Sequence, residues 1–198
     1  MFTGIIEAVG EIKKIIPLEN GIRIEVASGG LDLSDLRIGD SIATNGVCLT
    51  ITTLMGDTIS MEVSRETLNC TQSLDIRGGR VNLEKAMQLS DRINGHLVSG
   101  HVDGVGKIIK LEPVGESYIL AIRPPVSLMR YIARKSSITV NGVSLTVNLI
   151  ATDEFRVNLI PHTLTATTFK GLKKDMEVNL EVDMLARYLE KFVTSISR

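Results

Sequence analysis

Three stretches in the first half of the chain alternate apolar and polar residues with a period of two. Residues 22–26, 59–64 and 81–84 carry an apolar side chain at every second position, which favours β-strands with one buried face. Asn-Gly dipeptides at 45–46 and 141–142 lie between apolar runs. This dipeptide tolerates the two positive φ angles of a type I′ hairpin turn. Short strands at this spacing predict small closed barrels, which have no exposed sheet edge.

The pattern occurs twice along the chain. TNGVCLTI at 44–51 is matched by VNGVSLTV at 140–147, an offset of 96 residues. The same offset aligns the start MFTGIIEAVG with LVSGHVDGVG. After one extra residue near Gly78, VNLE at 81–84 aligns with VNLE at 178–181. A register that holds for most of each half indicates an internal duplication.

We therefore predict an all-β fold: two tandem six-stranded antiparallel Greek-key-like barrels related by internal duplication, followed by a C-terminal α-helix. The first barrel takes residues 1–96, the second takes 97–187, and the helix takes 184–197. Each half also has one weak helical pattern, at 31–36 and at 126–133.

The C-terminal segment repeats apolar residues at helical spacing, with Asp183 before it as a plausible N-cap. These residues are Leu185, Leu189, Phe192 and Ile196. The pattern fits a helix packed on its own barrel, and it fits equally an association helix, since no segment of similar length lies between the two barrels.

Composition narrows the range of partners. With 22 Lys and Arg, 23 Asp and Glu, 4% aromatic residues and no Trp, the chain lacks the basic surface and stacking platforms that bind nucleic acids. The first residues have no basic segment typical of a signal peptide, and no apolar run is long enough for a membrane helix. Two cysteines do not suggest a disulfide scaffold, and we expect a cytoplasmic protein. The three histidines form no ligand-spaced cluster, so we expect no metal.

The two copies differ at positions that matter chemically. The differing pairs are Ile5 and His101, Cys48 and Ser144, Glu66 and His162. Similar pockets would thus offer a bound molecule different groups, a thiol in one and an imidazole in the other. Strand alternation puts Cys48 and Thr50 on one face and Leu49 on the other. If Leu49 faces outward, the polar pair faces the barrel mouth; alternatively Thr50 is simply a β-former and Cys48 a small buried hydrophobe.

Several motifs at one fixed offset together resemble the riboflavin synthase family of duplicated lumazine-binding barrels, over residues 1–187. They are MFTGI at the start, NGVCLT, SRETL at 64–68, GHLVSGHVDG at 95–104, NGVSLT and LIPHTL at 159–164.

The resemblance implies an enzyme that takes two molecules of 6,7-dimethyl-8-ribityllumazine and moves a four-carbon unit between them. The products would be riboflavin and 5-amino-6-ribitylamino-2,4-pyrimidinedione, without a cofactor. It also implies a homotrimer held by the C-terminal helix, with the first barrel of one subunit facing the second barrel of a neighbour. Whether lumazine synthase is a physical partner stays open.

The resemblance also assigns site residues, position by position. The predicted substrate-binding residues are Phe2, Gly4, Ile5, Ile6, Cys48, Leu49, Thr50, Glu62, Val63, Ser64, Arg65, Glu66, Thr67, Gly100, His101, Val102, Lys135, Ser144, Leu145, Thr146, Asn158, Leu159, Ile160, Pro161, His162 and Thr163. The predicted catalytic residues are His101 as proton shuttle and Cys48 or Ser41 as the group that activates C7 of the second lumazine. The family has an acid where this chain has His162, so the chain departs from the family's pattern at that position.

Three other interpretations fit parts of the pattern. A non-catalytic protein that carries a lumazine or flavin as a chromophore needs only one pocket. A flavin-dependent oxidoreductase would need a phosphate loop, and the Gly-rich pieces lack that spacing. A purely structural repeat would plug its pockets with large apolar side chains.

Overall fold

The computed structural model describes residues 1–196, with side chains described through Val193. It contains two closed barrels of six antiparallel strands each. The strands of the first barrel are β1 (Ala8–Leu18), β2 (Gly21–Ala27), β3 (Ser41–Thr44), β4 (Val47–Met55), β5 (Thr58–Ser64) and β6 (Arg80–Lys85). The strands of the second barrel are β7 (Gly104–Val114), β8 (Ser117–Arg123), β9 (Ser137–Val140), β10 (Val143–Ile150), β11 (Phe155–Leu159) and β12 (Glu177–Val182).

The strand order confirms the predicted fold and duplication. The first barrel closes in the order β1-β2-β5-β4-β3-β6, and the second has the same order with six added to each number. Even the irregularities recur, because β1 and β7 shift register at Ile12 and Ile108, and β4 and β10 shift at Ile51 and Val147. The last strand of the first barrel ends at Lys85, and the first strand of the second barrel begins at Gly104. The boundary near residue 96 lies in the segment between them and remains a prediction.

Each barrel has its own apolar core. The residues predicted from alternation, among them Ile24, Ile59 and Val81, are fully buried in the first. Phe155 fills the second in the same way. Burying one such side chain stabilises the fold by about 1.5–3 kcal/mol, and the buried side chains of each cluster fill the interior of their own barrel.

Both Asn-Gly turns are as predicted. Asn45 and Gly46 have φ angles of 48° and 80°, and Asn141 and Gly142 have 47° and 81°, as a type I′ turn requires. The turns meet at the boundary between barrels, where a Cβ on Gly46 would lie 2.7 Å from the Gly142 nitrogen. A side chain is therefore excluded at the point of contact.

Buried asparagines link the barrels across this contact. Asn179 Nδ2 donates to the Asn45 carbonyl (3.0 Å), and Asn82 Nδ2 donates to the Asn141 carbonyl (2.9 Å). A backbone bridge between Phe2 and Val98, with hydrogen bonds of 2.8 and 3.0 Å, joins the starts of the two halves. These reciprocal bonds relate the halves by an approximate two-fold axis.

Helical segments are short apart from the last. The helix predicted at 31–36 is wrong: the segment forms turns, because the Asp32 carboxylate accepts from the Ser34 backbone N–H (2.9 Å), a local bond that competes with helix. The pattern at 126–133 becomes a 3₁₀ helix, Val126–Tyr131. Helices α1 (Arg65–Cys70) and α2 (Pro161–Ala166) follow β5 and β11.

The C-terminal helix α3 spans Met184–Ile196. Asp183 caps it as predicted, its Oδ1 accepting from the Leu185 N–H at 3.0 Å. Leu189 and Phe192 are 64% and 65% exposed; the side chain of Ile196 lies outside the described residues. Among the helices within residues 1–196, none is long and apolar enough to span a membrane.

Candidate active site

The polar residues of the repeated motifs 44–51 and 140–147 that were predicted to bind a ligand lie on the outer faces of the barrels. Leu49 belongs to the first core, Cys48 is half-buried outside it, and Thr50 is exposed. Leu145, Ser144 and Thr146 are arranged in the same way in the second barrel. The interpretation in which Leu49 faces outward is therefore wrong. Because the interiors are filled, a ligand must bind outside the barrels.

A gap in each barrel wall adjoins these residues. Strand β4 pairs with β5 only from Ile51, opposite Met61, onwards. Beyond that point the edges 47–50 and 62–64 face one another without a registered pairing, while each still pairs with its other neighbour. By strand alternation the backbone of Thr50 points into this gap. Unpaired peptide edges of this kind can hydrogen-bond the amide-like rim of a flat heterocycle.

The second barrel has the same gap. Pairing of β10 with β11 begins at Val147 opposite Val157. Asn158 and Thr146 are exposed at the unpaired edges. The predicted binding residues 48–50 and 62–67 therefore border the gap of the first barrel, and 144–146 and 158–163 border that of the second.

Each gap receives a segment from the other half of the chain. The Gly100 carbonyl accepts from the Cys48 N–H at 2.8 Å, and the Gly4 carbonyl accepts from the Ser144 N–H at 2.8 Å. Correspondingly, Val102 packs on the core of the first barrel. Ile6 packs on the core of the second barrel in the same way. The resemblance implies that residues 4–6 and 100–102 lie on a strand that lines each pocket, but β1 begins only at Ala8 and β7 only at Gly104, so this expectation is wrong.

This exchange changes which groups share a site. His101 follows Gly100 and therefore joins Cys48 at the first barrel, whereas Ile5 joins Ser144 at the second. The expectation that Cys48 and His101 belong to opposite pockets is thus wrong, because the backbone of His101 adjoins the site that holds Cys48.

Glycine is required where the segments cross. Gly100 has φ +77°, and a Cβ there would lie 2.7 Å from Cys48 Cβ and 3.0 Å from Phe2 Cε2. Gly4 also has φ +77°, with Ser144 Cβ 2.6 Å away. Phe2, predicted near the pocket mouth, is fully buried behind this contact and supports it.

A buried carboxylate holds each segment from behind. Glu181 accepts from Ser99, Gly100 and His101, and Glu84 accepts from Thr3 and Gly4.
Burial raises the pKa of both carboxyl groups, and the hydrogen bonds they accept oppose this rise. Sequence reasoning missed both residues, although each stands in the repeated VNLE motif.

His96 is a third residue that sequence reasoning missed. Its Nδ1 lies 2.7 Å from Ser144 Oγ, and its Nε2 is buried without a hydrogen-bond partner. Burial lowers the pKa of its imidazole, against a smaller opposing effect of Asp183. A neutral imidazole therefore lies against the hydroxyl of the second site, at the join that precedes the second copy.

The remaining predicted residues lie nearby or at the rim. Ser41 pairs with Thr50 in the β3–β4 ladder and, with Ile5, lines a cavity of about 1030 Å³. Glu66 and His162 are exposed in the first turns of α1 and α2. Lys135 is exposed, in a positive-φ turn just before β9.

Residues 1–196 contain no group of three His, Cys, Asp or Glu placed to hold a metal ion. Within them, polar backbone edges, one thiol, hydroxyls and two imidazoles make up the chemistry of the two sites. Such groups can bind a flat polar ring and move protons.

The lumazine binding domain family model matches residues 3–86 and 99–183. Riboflavin synthase of Photobacterium leiognathi is 45% identical over 194 residues, 98% of this chain and 89% of that protein. Riboflavin synthase of Bacillus subtilis is 38% identical, over 98% of this chain and 90% of that protein.

Two solved structures of LumP share the fold. LumP complexed with 6,7-dimethyl-8-(1′-D-ribityl)lumazine has a TM-score of 0.82 and 25% identity, over 92% of this chain and 99% of that chain. LumP complexed with riboflavin has a TM-score of 0.84 and 26% identity, over 92% and 100%.

Two barrels, each with an outer gap and each matching this model, define a duplicated lumazine-binding protein. Within that class, the chain belongs to the riboflavin synthase family, as its identity to relatives over nearly its whole length shows.

Proposed function

We propose that the chain is a riboflavin synthase, a transferase that converts two molecules of 6,7-dimethyl-8-ribityllumazine into riboflavin and 5-amino-6-ribitylamino-2,4-pyrimidinedione. The observation that carries this proposal is the presence of two complete but unlike sites on one chain. One site offers Cys48 and His101; the other offers Ser144 with His96. A dismutation needs one molecule to act as donor and an identical one as acceptor, and unlike sites impose that difference.

The proposed chemistry uses only groups of the chain and the two substrates. His101 takes a proton from the 7-methyl group of one lumazine, because the resulting anion is delocalised into the ring. Cys48 or Ser41, at the same site, activates C7 of the other lumazine, which the facing site of a neighbouring subunit brings against the first. Transfer of the four-carbon unit balances between the two molecules, so no outside oxidant is required.

Much of the rate comes from holding two flat rings together. Effective molarity contributes up to about 7–11 kcal/mol when the reacting atoms are aligned. The stiff, fully packed barrels suit this role, since their outer walls cannot collapse into an empty interior.

Assembly follows from the exposed apolar face of α3. Leu185, Tyr188, Leu189, Phe192 and Val193 are all more than 60% exposed, although such a stripe normally packs on another surface. This face supports association through α3. The assembly that we propose is a homotrimer in which the first site of one subunit faces the second site of a neighbour, and the location that we propose is the cytoplasm.

A non-catalytic lumazine or flavin carrier is the second candidate, and the likeness to LumP favours it. One experiment separates the two. The protein is incubated with the lumazine alone, and riboflavin is followed by its green fluorescence and by chromatography. A synthase forms riboflavin and the pyrimidinedione in equal amounts; a carrier binds the lumazine and forms neither.

The variants Cys48→Ser and His101→Gln test the assigned roles. General acid–base catalysis contributes about 10²–10⁴-fold, so we expect His101→Gln to lower kcat by at least about 100-fold while lumazine binding is retained. Lys174→Gln, at an exposed position that belongs to neither site, serves as the comparison. Unchanged turnover in both site variants would remove these residues from the mechanism.

A further inference from the structure

One buried side chain of the second barrel fixes the backbone that carries His101. Glu181, on β12, is 2% exposed. Its Oε1 accepts from the Ser99 N–H (2.8 Å) and Ser99 Oγ (2.5 Å). Its Oε2 accepts from the N–H groups of Gly100 (3.0 Å) and His101 (3.1 Å). Four donors from three consecutive residues therefore converge on one carboxylate.

The same segment is held from its other side by the first barrel. The Gly100 carbonyl accepts from the Cys48 N–H, and the His101 carbonyl is 3.5 Å from Arg187 Nη2 on α3. The segment is thus fixed between Glu181 in one barrel and Cys48 in the other. Both the N–H and the carbonyl of His101 thus have a partner, and these contacts fix the backbone from which its side chain projects.

We propose that Glu181 is a positioning residue for the reaction: it orients His101 beside Cys48, so that a carboxylate of the second barrel sets the geometry of the site on the first. This inference rests on the proposed function for its kinetic consequence, although not for its geometry. Two oxygens that each accept two donors are needed, and an amide provides only one acceptor oxygen.

The chain contains a matched control. Glu84, the counterpart on β6, is 3% exposed and accepts from the Thr3 N–H (2.6 Å), Thr3 Oγ1 (2.8 Å) and the Gly4 N–H (3.0 Å). Ile5 follows where the other copy has His101. Removing either carboxylate disturbs an equivalent segment, but only Glu181 supports an imidazole.

The experiment compares Glu181→Gln with Glu84→Gln by three measurements. These are the thermal midpoint, kcat and KM for the lumazine, and an NMR pH titration of His101, assigned with His101→Gln. Misplacement of a catalytic group by about 1 Å can cost on the order of 100-fold. We expect Glu181→Gln to lower kcat at least about tenfold more than Glu84→Gln at similar thermal midpoints, and to shift the His101 resonance and its titration.

Equal losses of kcat in the two variants, or an unaltered His101 resonance in Glu181→Gln, would overturn the proposal. If Glu181→Gln does not fold, Ser99→Ala is compared with Thr3→Val, each of which removes one hydroxyl donor from its carboxylate. We then expect the larger loss of kcat and the larger change in His101 in Ser99→Ala, and equal effects would again refute the inference.

A wild-type protein that forms no riboflavin would refute the proposed function instead. The NMR comparison still decides the positioning role in that case, because it reads the His101 environment without turnover.

Discussion

Gly100 is the residue through which the two barrels build a shared site, and replacing it with alanine tests that arrangement. Its φ angle is +77°, and an added Cβ would lie 2.7 Å from Cys48 Cβ and 3.0 Å from both Cys48 N and Phe2 Cε2. A non-glycine residue in this left-handed conformation costs about 1–2 kcal/mol. Overpacking a well-filled site costs about 1–3 kcal/mol more. We expect Gly100→Ala to lower the free energy of unfolding by about 2–5 kcal/mol.

Gly78→Ala separates the two contributions. Gly78 has φ +80°, and nothing lies within 4 Å of its added Cβ, so only the conformational cost applies there. In a chain of this size, 1 kcal/mol corresponds to about 2–4 °C in the unfolding midpoint. The midpoint of Gly100→Ala should therefore lie about 2–12 °C below that of Gly78→Ala, measured by circular dichroism under identical conditions.

Ligand binding gives the functional half of the same test. The added Cβ should displace the segment that carries Gly100 and so remove the site on the first barrel. The segment that carries Gly4 and the site on the second barrel should be retained. Fluorescence titration with the lumazine should then find two sites per chain in Gly78→Ala and one in Gly100→Ala. Equal midpoints in the two variants, or two unaltered sites in Gly100→Ala, would refute the shared site.

Two further predictions concern the links between the barrels. Asn179→Ala removes a buried bond to Asn45 and two partly buried bonds to Gln72. A buried group left unsatisfied costs about 1–3 kcal/mol, so urea unfolding should show a loss of about 2 kcal/mol or more, and a loss below about 1 kcal/mol would contradict the role of this network. Burial raises the folded-state pKa of Glu84 and Glu181 above their unfolded values, so their contribution to stability is present below the unfolded pKa and is lost as pH rises through the folded pKa. We therefore compare the free energy of unfolding of wild type with that of a variant in which both residues are Gln, by urea unfolding at successive pH values. The difference, wild type minus variant, should fall as pH increases from about 4. A constant or rising difference would contradict the raised pKa.

The barrels could be predicted because their determinants are local. Period-two alternation fixes which side chains of β2 and β5 enter the core, and Asn45 and Gly46 adopt the positive φ angles that their turn demands. The duplication then transfers each assignment to the second half. Where a local signal was misleading, as at Asp32, a side-chain hydrogen bond to the backbone prevailed over helical spacing.

Local patterns do not predict whether the site lies inside the barrel or on its outer wall. Alternation separates Cys48 from Leu49 but does not say which of them faces the core, since both are apolar enough to be buried. The structure decides in favour of Leu49 because its larger side chain fills the barrel, and the thiol is left at the wall. A six-stranded barrel has little interior room beyond its own side chains, so a substrate as large as a lumazine has to bind outside.

The exchange of segments between the barrels could not be predicted from the sequence, because duplication makes the two barrels nearly equivalent as partners for either segment. A segment ending in Gly4 or Gly100 meets nearly the same chemistry in either barrel, so no sequence feature of one half selects its partner. The selection comes from the two-fold contact itself, where Phe2 pairs with Val98.

The exchange has a chemical consequence, because a substitution in one copy acts at the site of the other. The backbone of His101, which belongs to the second copy, adjoins Cys48 of the first. Two of the three differences between the copies therefore meet in one site instead of being divided between two, and such an asymmetry is what a reaction between identical substrates requires.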